Sequence, residues 1–186
     1  MSTAPETKKI YIVISQTGTI LSRILKALTK NPYNHSSVAL REDLHVLWSF
    51  GRRHPYNPFW GGFVKDSPFF GTFKRFKKTT CMVLETEITA EAYADLEALF
   101  EDMLAHRNRY HYNTLGVALV PTGIYRKRKN RFYCSEFVRM ALVRARVPGF
   151  ENLPEIVQPI DFLKLPHRVV YVGNLHDYAA AHPKKE

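Results

Sequence analysis

The pattern of hydrophobic and polar positions divides the chain into strand-like and helix-like segments. Residues 8–15, KKIYIVIS, have the density of β-branched and aromatic residues that is typical of a buried strand. Residues 18–30 then place apolar side chains at helical spacing between Ile20 and Leu28. We therefore expect the chain to begin with a strand that is followed by a helix.

The next segments predict a hairpin and then a loop. Residues 35–50 contain two short strand-like runs, which are joined by a polar turn at residues 41–44. Residues 51–78 combine glycine, proline, aromatic and basic residues without a sustained period, as in a long ordered loop. We therefore expect a β-hairpin and, after it, a loop or lid insertion at about residues 51–80.

The clearest helical pattern lies in the middle of the chain. Residues 79–88 first resume a strand pattern, and residues 89–109 then carry an apolar stripe on one face. Thr89 is the expected N-cap of this helix, because its hydroxyl can accept a hydrogen bond from a free backbone N–H. The middle of the chain therefore predicts one strand and one long helix.

The last third of the chain predicts one more helix and one more strand. The helix is expected to begin near Cys134 and to end before Pro148, after an apolar stripe. Residues 168–174 predict a strand, and residues 179–186 predict a frayed tail. Helices mixed with consecutive antiparallel strands predict an α+β fold, and the length predicts one domain, residues 1–186.

The chain is strongly basic, which favours anionic partners. It contains 27 Lys and Arg residues against 17 Asp and Glu residues, a net charge of +10 with neutral histidines. Two basic runs, residues 73–78 and 125–131, would attract an anionic substrate or an anionic membrane surface if they flank a cleft. A solvated face is the more common role of such runs. Nucleic acid is the less favoured partner, because the sequence carries no RNA-binding signature.

The cysteine usage predicts neither a disulfide framework nor a metal site. The two cysteines, Cys81 and Cys134, lie in no CxxC motif and in no Cys/His cluster of zinc spacing, so no metal or other cofactor is expected.

The apolar run at residues 10–14 is too short for the core of a signal peptide, and no later stretch has membrane-spanning length. We therefore expect a cytoplasmic protein with free thiols.

Cys134 has the sequence context of a nucleophile. Unpaired N–H groups and the positive end of the dipole at a helix start stabilise a thiolate, and the same groups can bind the oxyanion of an acyl intermediate. The alternative is a small buried hydrophobic residue, the role expected for Cys81 in its apolar strand. A nucleophilic cysteine needs a base, and the candidate is His35, which begins a predicted strand where an apolar residue is usual.

The segments around these residues resemble a known family, the circularly permuted NlpC/P60 group of papain-like thiol hydrolases. This group includes the YiiX-like proteins and lecithin retinol acyltransferase. Residues 33–40, YNHSSVAL, resemble its histidine strand, and residues 132–138, FYCSEFV, resemble the start of its cysteine helix. Residues 110–117, YHYNTLGV, are similar to the segment upstream of that helix. The resemblance covers roughly residues 9–147, is weaker over 51–80, and implies a permuted papain-like core with an antiparallel sheet packed against helices.

The resemblance also implies roles for individual residues. Cys134 corresponds to the nucleophile, and His35 corresponds to the base that takes its proton and later donates one to the leaving group. If the hairpin turns at residues 41–44, Ser49 occupies the place of the third, polar residue of the triad. A hydroxyl can orient an imidazole but cannot stabilise imidazolium as a carboxylate would. Tyr112 is implied as a substrate-binding neighbour of the site.

The implied activity is that of a cysteine hydrolase, a peptidase or amidase, or of an acyltransferase. Such an enzyme cleaves an amide or ester bond through a cysteine acyl-enzyme, and the family implies a peptide, N-acyl amine or lipid substrate. The alternative is a non-catalytic papain-like module that docks an anionic membrane or nucleic acid through its basic face. The sequence leaves the substrate and the oligomeric state open.

Overall fold

A six-stranded antiparallel sheet organises the residues that the structure, a computed structural model, describes: 5–17, 31–54 and 57–184. The strands of this sheet are β1 (Thr7–Gln16), β2 (His35–Ala39), β3 (Leu47–His54), β4 (Asn57–Asp66), β5 (Thr80–Thr89) and β8 (Arg168–Asn174). Their order is β4-β3-β2-β1-β5-β8, so β1 is central and β4 is an edge. Two short parallel strands, β6 (His111–Tyr112) and β7 (Arg131–Phe132), form a separate pair.

Helices connect and cover these strands. Over the described residues the α-helices are α1 (Gly71–Arg75), α2 (Ala90–Ala105), α3 (Thr114–Leu119), α4 (Cys134–Arg144) and α5 (Leu175–Ala181). Short 3-10 helices occur at Arg107–Arg109, Val120–Thr122, Phe150–Asn152 and Pro159–Lys164. The helix expected over residues 18–30 lies outside the described part of the chain.

The central strand β1 is buried on both faces because both sets of its alternating side chains are apolar. Ile10, Ile12 and Ile14 belong to a core with residues of α2 and α4, among them Phe100 and Phe137. Tyr11 and Val13 belong to a second core, which includes residues of α1 and α5. The sheet is therefore the middle of three layers, with α2 and α4 on one face and α1 and α5 on the other.

Several predictions from the hydrophobic pattern are confirmed. The fold is mixed α+β, and β2 and β3 form the predicted hairpin, with Val38 opposite Trp48. The hydroxyl of Thr89 accepts from the backbone N–H of Ala92 at 3.2 Å, as expected for the N-cap of α2. The helix predicted near Cys134 begins at that residue.

The prediction of a long loop after the hairpin is wrong. Strand β3 continues to His54 and pairs with β4, and the short helix α1 follows. Two glycines of β4 account for the irregular pattern, because another chain segment passes directly over them. A β-carbon on Gly61 would lie 2.8 Å from the Cβ of Tyr112, and one on Gly62 would lie 2.5 Å from the carbonyl oxygen of Tyr110.

The prediction of a frayed tail is also wrong for residues 179–181. These residues continue helix α5, in which Tyr178 and Ala179 are buried against the sheet. The Tyr178 ring packs on Tyr171 of β8 with a centroid distance of 5.0 Å. Packing of this helix on the second core therefore orders a segment whose polar and small residues suggested fraying.

Candidate active site

The first turn of α4 presents Cys134. The backbone of Tyr133 is extended, and its carbonyl accepts the first helical hydrogen bond from the N–H of Phe137 at 3.0 Å. The carboxylate of Glu136 turns back and accepts from the N–H of Tyr133 at 3.2 Å, half of a capping box. The helix therefore begins sharply at Cys134, whose thiol is buried at the positive end of the helix dipole.

Strand β2 presents His35 at its first residue. His35 pairs with Ser15 of β1, and the N–H of the preceding Asn34 donates to the carbonyl of Ser15 at 3.1 Å. The imidazole is half-buried, and the ring of Phe73 packs edge-on against it with a centroid distance of 5.9 Å. Pairing with the central strand and this aromatic contact therefore hold the imidazole in place.

The structure brings Cys134 and His35 together. Burial opposes ionisation of the thiol, but hydrogen bonding and charge from His35, the backbone N–H of Ser36 and the hydroxyl of Ser135 outweigh it. Together these effects lower the pKa of Cys134 from 9.0 to about 7. The sulfur also lies 4.0 Å from the carbonyl oxygen of Asn34. About half of the thiol is therefore ionised at neutral pH.

Cys81 provides an internal contrast. It lies in β5 with an exposed fraction of 1%, and burial alone raises the pKa of its thiol to about 12. This is the behaviour of a cysteine that serves only as a core residue, as the sequence predicted. The opposite shifts indicate that the specific environment of Cys134 outweighs the effect of burial, which acts alone on Cys81.

Tyr112 lies beside the thiol. It pairs with Phe132 in the β6–β7 ladder, directly before the cysteine helix. Burial and the proximity of Cys134, including a hydrogen bond between the two side chains, raise the pKa of Tyr112 well above its usual range. Tyr112 therefore stays protonated and can donate to the sulfur. The glycine at position 61 of β4 makes room for this placement.

The structure corrects the position of Ser49. With Val38 opposite Trp48, the residue across from His35 is Gly51, and a β-carbon there would lie 3.7 Å from His35 Cε1. The connection between the strands runs over residues 40–46, longer than the turn assumed from the sequence, which shifts the register. Ser49 is buried next to this position, with its hydroxyl oxygen 3.8 Å from where a β-carbon on Gly51 would lie.

A carboxylate that the sequence analysis missed, Asp66, lies within electrostatic range of His35. Burial raises the pKa of Asp66, while hydrogen bonds from backbone N–H groups and the charge of His35 oppose this rise. Its oxygens accept from the N–H of Ser67 at 2.9 Å and from that of Thr72 at 3.1 Å. Asp66 thereby fixes the start of α1, which carries Phe73 onto the imidazole. The sequence Asp-Ser-Pro at residues 66–68 predicts a turn, but it could not predict that Asp66 lies near His35, because that proximity depends on tertiary structure.

Glu136 joins the cysteine helix to the preceding segment. Besides the N–H of Tyr133, its buried carboxylate accepts from the side-chain amide of Asn113 at 3.3 Å and from the hydroxyl of Tyr125 at 3.2 Å. Asn113 in turn accepts from the N–H of Gly116 at 3.0 Å and caps α3. Burial raises the pKa of Glu136 despite these donors. The network holds α3 and the segment after it against the start of α4.

A small cleft with a volume of about 40 Å³ opens beside Cys134. Most of its walls are apolar, and the wall residues include Tyr33, Val117, Val120, Val157 and Pro159. The basic residues 126–129 are exposed and lie in sequence between this wall and α4. The thiol is therefore next to an apolar surface, with cationic side chains close by in the chain.

Within the described residues, no cluster of three or more His, Cys, Asp or Glu side chains is arranged to hold a metal ion. No helix in the described ranges combines the length and the apolar character that crossing a membrane requires. No protein-family model, curated protein or solved structure matches this chain.

Proposed function

We propose that this protein is a cysteine hydrolase or acyltransferase that cleaves an amide or ester bond through an acyl-enzyme on Cys134. The observation that carries the proposal is the position of Cys134 at the first residue of α4, beside His35 and Tyr112. The pKa of Cys134 is lowered to about 7 beside His35, whereas that of Cys81 is raised to about 12. A depressed thiol pKa next to a histidine at a helix start is the typical environment of a nucleophilic cysteine.

The proposal includes the fold and the location that the sequence suggested. The histidine strand precedes the cysteine helix in the chain, and the sheet is antiparallel, in agreement with a permuted papain-like core. The proposed place of action is the cytoplasm, where the free thiols of Cys81 and Cys134 would stay reduced.

The first half of the reaction would form a thioester. His35 takes the thiol proton, and the thiolate of Cys134 attacks the substrate carbonyl carbon, so that a C–S bond forms. The N–H groups of the first turn of α4 and the hydroxyl of Tyr112 are the donors available to the oxyanion. The intermediate then collapses and breaks the C–N or C–O bond, while His35 gives its proton to the leaving amine or alcohol.

The second half would release the acyl group. His35 removes a proton from water in a hydrolase, or from an acceptor amine or alcohol in an acyltransferase. The resulting nucleophile attacks the thioester carbon, and the C–S bond breaks to regenerate the thiol of Cys134. Asp66 is better suited than Ser49 to support the imidazolium charge, because its carboxylate can carry a negative charge within electrostatic range of His35 and a serine hydroxyl cannot.

The walls of the cleft favour a substrate with an apolar group next to the scissile carbonyl. Val117, Val120 and Val157 offer dispersion contacts and no hydrogen bonds from their side chains. N-acyl amines, lipid esters and peptides with apolar side chains all meet this requirement. The exposed basic run at residues 126–129 would add attraction for a substrate with negative charge.

Mass spectrometry of the intact protein after incubation with p-nitrophenyl esters of increasing chain length tests the proposal. We expect one acyl adduct on Cys134, which is lost in Cys134→Ala and strongly reduced in His35→Ala. Cys81→Ser is the matched control and should retain the adduct. An adduct that persists in Cys134→Ala, or no adduct with any ester, would contradict the enzyme and favour the non-catalytic binding module.

A further inference from the structure

A second cavity lies at the edge of the sheet, between β4, the start of α1 and the end of α2. Its volume is about 140 Å³, and four cationic side chains line it: Arg52, Arg53, Lys65 and Arg107. A cavity of roughly 150 Å³ holds a molecule of the size of benzene. This cavity is therefore large enough for a small polyatomic anion or for one charged group of a larger ligand.

Arg53 is held rigidly in this cavity. Its guanidinium donates hydrogen bonds to the carbonyl oxygens of Arg107 and Tyr110. It reaches them by passing over Gly62, where a β-carbon would lie 2.6 Å from Arg53 Nε. The Nε itself is buried and has no hydrogen-bond partner in the described part of the chain. The arginine is thus fixed by main-chain contacts that leave its positive charge unneutralised.

The positive charges of the cavity also repel each other. Burial lowers the pKa of Arg53, and the neighbouring Arg107 lowers it further. Burial and the nearby Arg75 have the same effect on the pKa of Arg52. Arg52, Arg53 and Arg107 therefore line one cavity, and none of the three forms an ion pair with a carboxylate in the described part of the chain.

The acidic residues nearby offset only part of this charge. Asp66 also lines the cavity, but its oxygens accept from the backbone N–H groups of Ser67 and Thr72 and form no ion pair with the arginines of the described ranges. Lys65 is 3.8 Å from Glu101, an exposed pair that contributes little. The balance of charge in the cavity is positive, and an anion bound there would relieve the repulsion between the arginines.

We propose that this cavity binds a phosphate group. Guanidinium groups match the oxygens of phosphate in geometry and bind it by paired, charge-assisted hydrogen bonds. A phosphate monoester carries about −1.5 to −2 charges and three acceptor oxygens, and so can accept from more than one arginine at once. A carboxylate has two oxygens and one charge, and it satisfies this cavity less well.

The phosphate site neighbours the candidate active site. Tyr112, which lies beside Cys134, is close enough to Arg52 for the two side chains to influence each other's pKa. A ligand whose phosphate contacts Arg52 in the cavity would therefore lie on the side of the molecule that carries Tyr112. Binding itself needs no thiol chemistry, so the inference stands independently of the proposed function.

Calorimetric titration at constant ionic strength tests this inference. The probes are inorganic phosphate, glycerol 3-phosphate, acetate, and phosphatidylcholine vesicles with and without phosphatidic acid. The variants are Arg107→Glu and its matched control Arg109→Glu, since both side chains are exposed in the same 3-10 turn and only Arg107 lines the cavity. We expect Arg107→Glu to weaken phosphate binding at least about tenfold and Arg109→Glu to have little effect.

The probes distinguish the two sources of phosphate. If the protein binds glycerol 3-phosphate, and Arg107→Glu but not Arg109→Glu abolishes this binding, the ligand is a soluble phosphate compound. If only vesicles with phosphatidic acid bind, and Arg107→Glu alone abolishes that binding, the ligand is a lipid headgroup. Arg52→Ala, on a different element, repeats the test if Arg107→Glu fails to fold. Absence of saturable binding, equal losses in both glutamate variants, or acetate binding as tight as phosphate overturns the inference. Cys134→Ala should bind phosphate normally, which separates this result from the test of catalysis.

Discussion

Replacement of His35 by alanine should raise the pKa of the Cys134 thiol more than any other single change. His35 supplies both the side-chain hydrogen bond and the positive charge that oppose the effect of burial on the thiol. Alanine removes both and leaves the burial in place, because the thiol is enclosed by β2 and α4. The pKa should therefore rise from about 7 to 9.0 or above.

The size of the effect on reactivity follows from two opposing factors. At pH 7 a thiol with a pKa of about 7 is about half ionised, whereas one with a pKa of 9.0 is about 1% ionised, a difference of about 50-fold. The more basic thiolate is intrinsically more nucleophilic, by roughly eightfold for this difference in pKa. The net loss of alkylation rate at pH 7 is therefore only about sixfold, and above pH 9 the variant should react faster.

The measurement is the rate of iodoacetamide alkylation of Cys134 against pH, in a Cys81→Ser background. The midpoint of the profile is more informative than the rate at one pH, because the two factors partly cancel in the rate. His106→Ala serves as the matched control, since His106 lies at the exposed end of α2. A midpoint near or above 8.5 that does not respond to His35→Ala would refute the thiolate–imidazole pair.

Three further predictions concern stability. Phe137 is fully buried among aromatic rings, so Phe137→Ala should lower the free energy of unfolding in urea by about 3–5 kcal/mol, whereas Phe70→Ala, at a side chain with 44% exposure, should change it little. Glu136→Ala leaves buried donors without an acceptor and should cost about 1–3 kcal/mol in the same assay, with partial recovery in Glu136→Gln. Burial raises the pKa of Glu85, but hydrogen bonds from its lysine and arginine partners outweigh this and lower it. The ion pairs of Glu85 should therefore stabilise the fold at pH values above the unfolded-state pKa, near 4.5, and this stabilisation should be lost as the pH falls through the folded-state pKa. Glu85→Gln should flatten the acid unfolding profile in this pH range.

The local pattern of hydrophobic and polar residues was sufficient to predict the elements whose side chains face one continuous core. The apolar stripe of α2, its cap at Thr89 and the start of α4 at Cys134 all follow from residues that are close together in sequence. Residues 51–66 show no strand pattern in the sequence, because Gly61 and Gly62 make room for the chain segment that crosses β4 and place no side chains in the core. A strand whose composition is set by a distant contact cannot be identified from its own period.

The candidate site likewise combines residues that the local sequence identified with residues whose place depends on tertiary structure. Cys134 and His35 stand in segments that resemble motifs, and the structure places them together. Ser49 was assigned from an assumed turn, and a small change in register is enough to put Gly51 across from the histidine instead. Asp66 reaches His35 electrostatically from the far end of the neighbouring hairpin, a proximity that depends on how β3 and β4 pair.

The high positive charge of the chain and the low pKa of Cys134 have separate physical origins, and salt distinguishes them. Exposed cations such as those at residues 126–129 act through solvent, where the Debye length is about 8 Å at physiological ionic strength. His35 acts on a buried sulfur at hydrogen-bonding range, where screening is weak. Raising the salt concentration should therefore slow the capture of an anionic substrate and leave the alkylation midpoint of Cys134 near pH 7. A midpoint that rises steadily with salt would mean that the exposed lysines and arginines, and not His35, hold the thiolate.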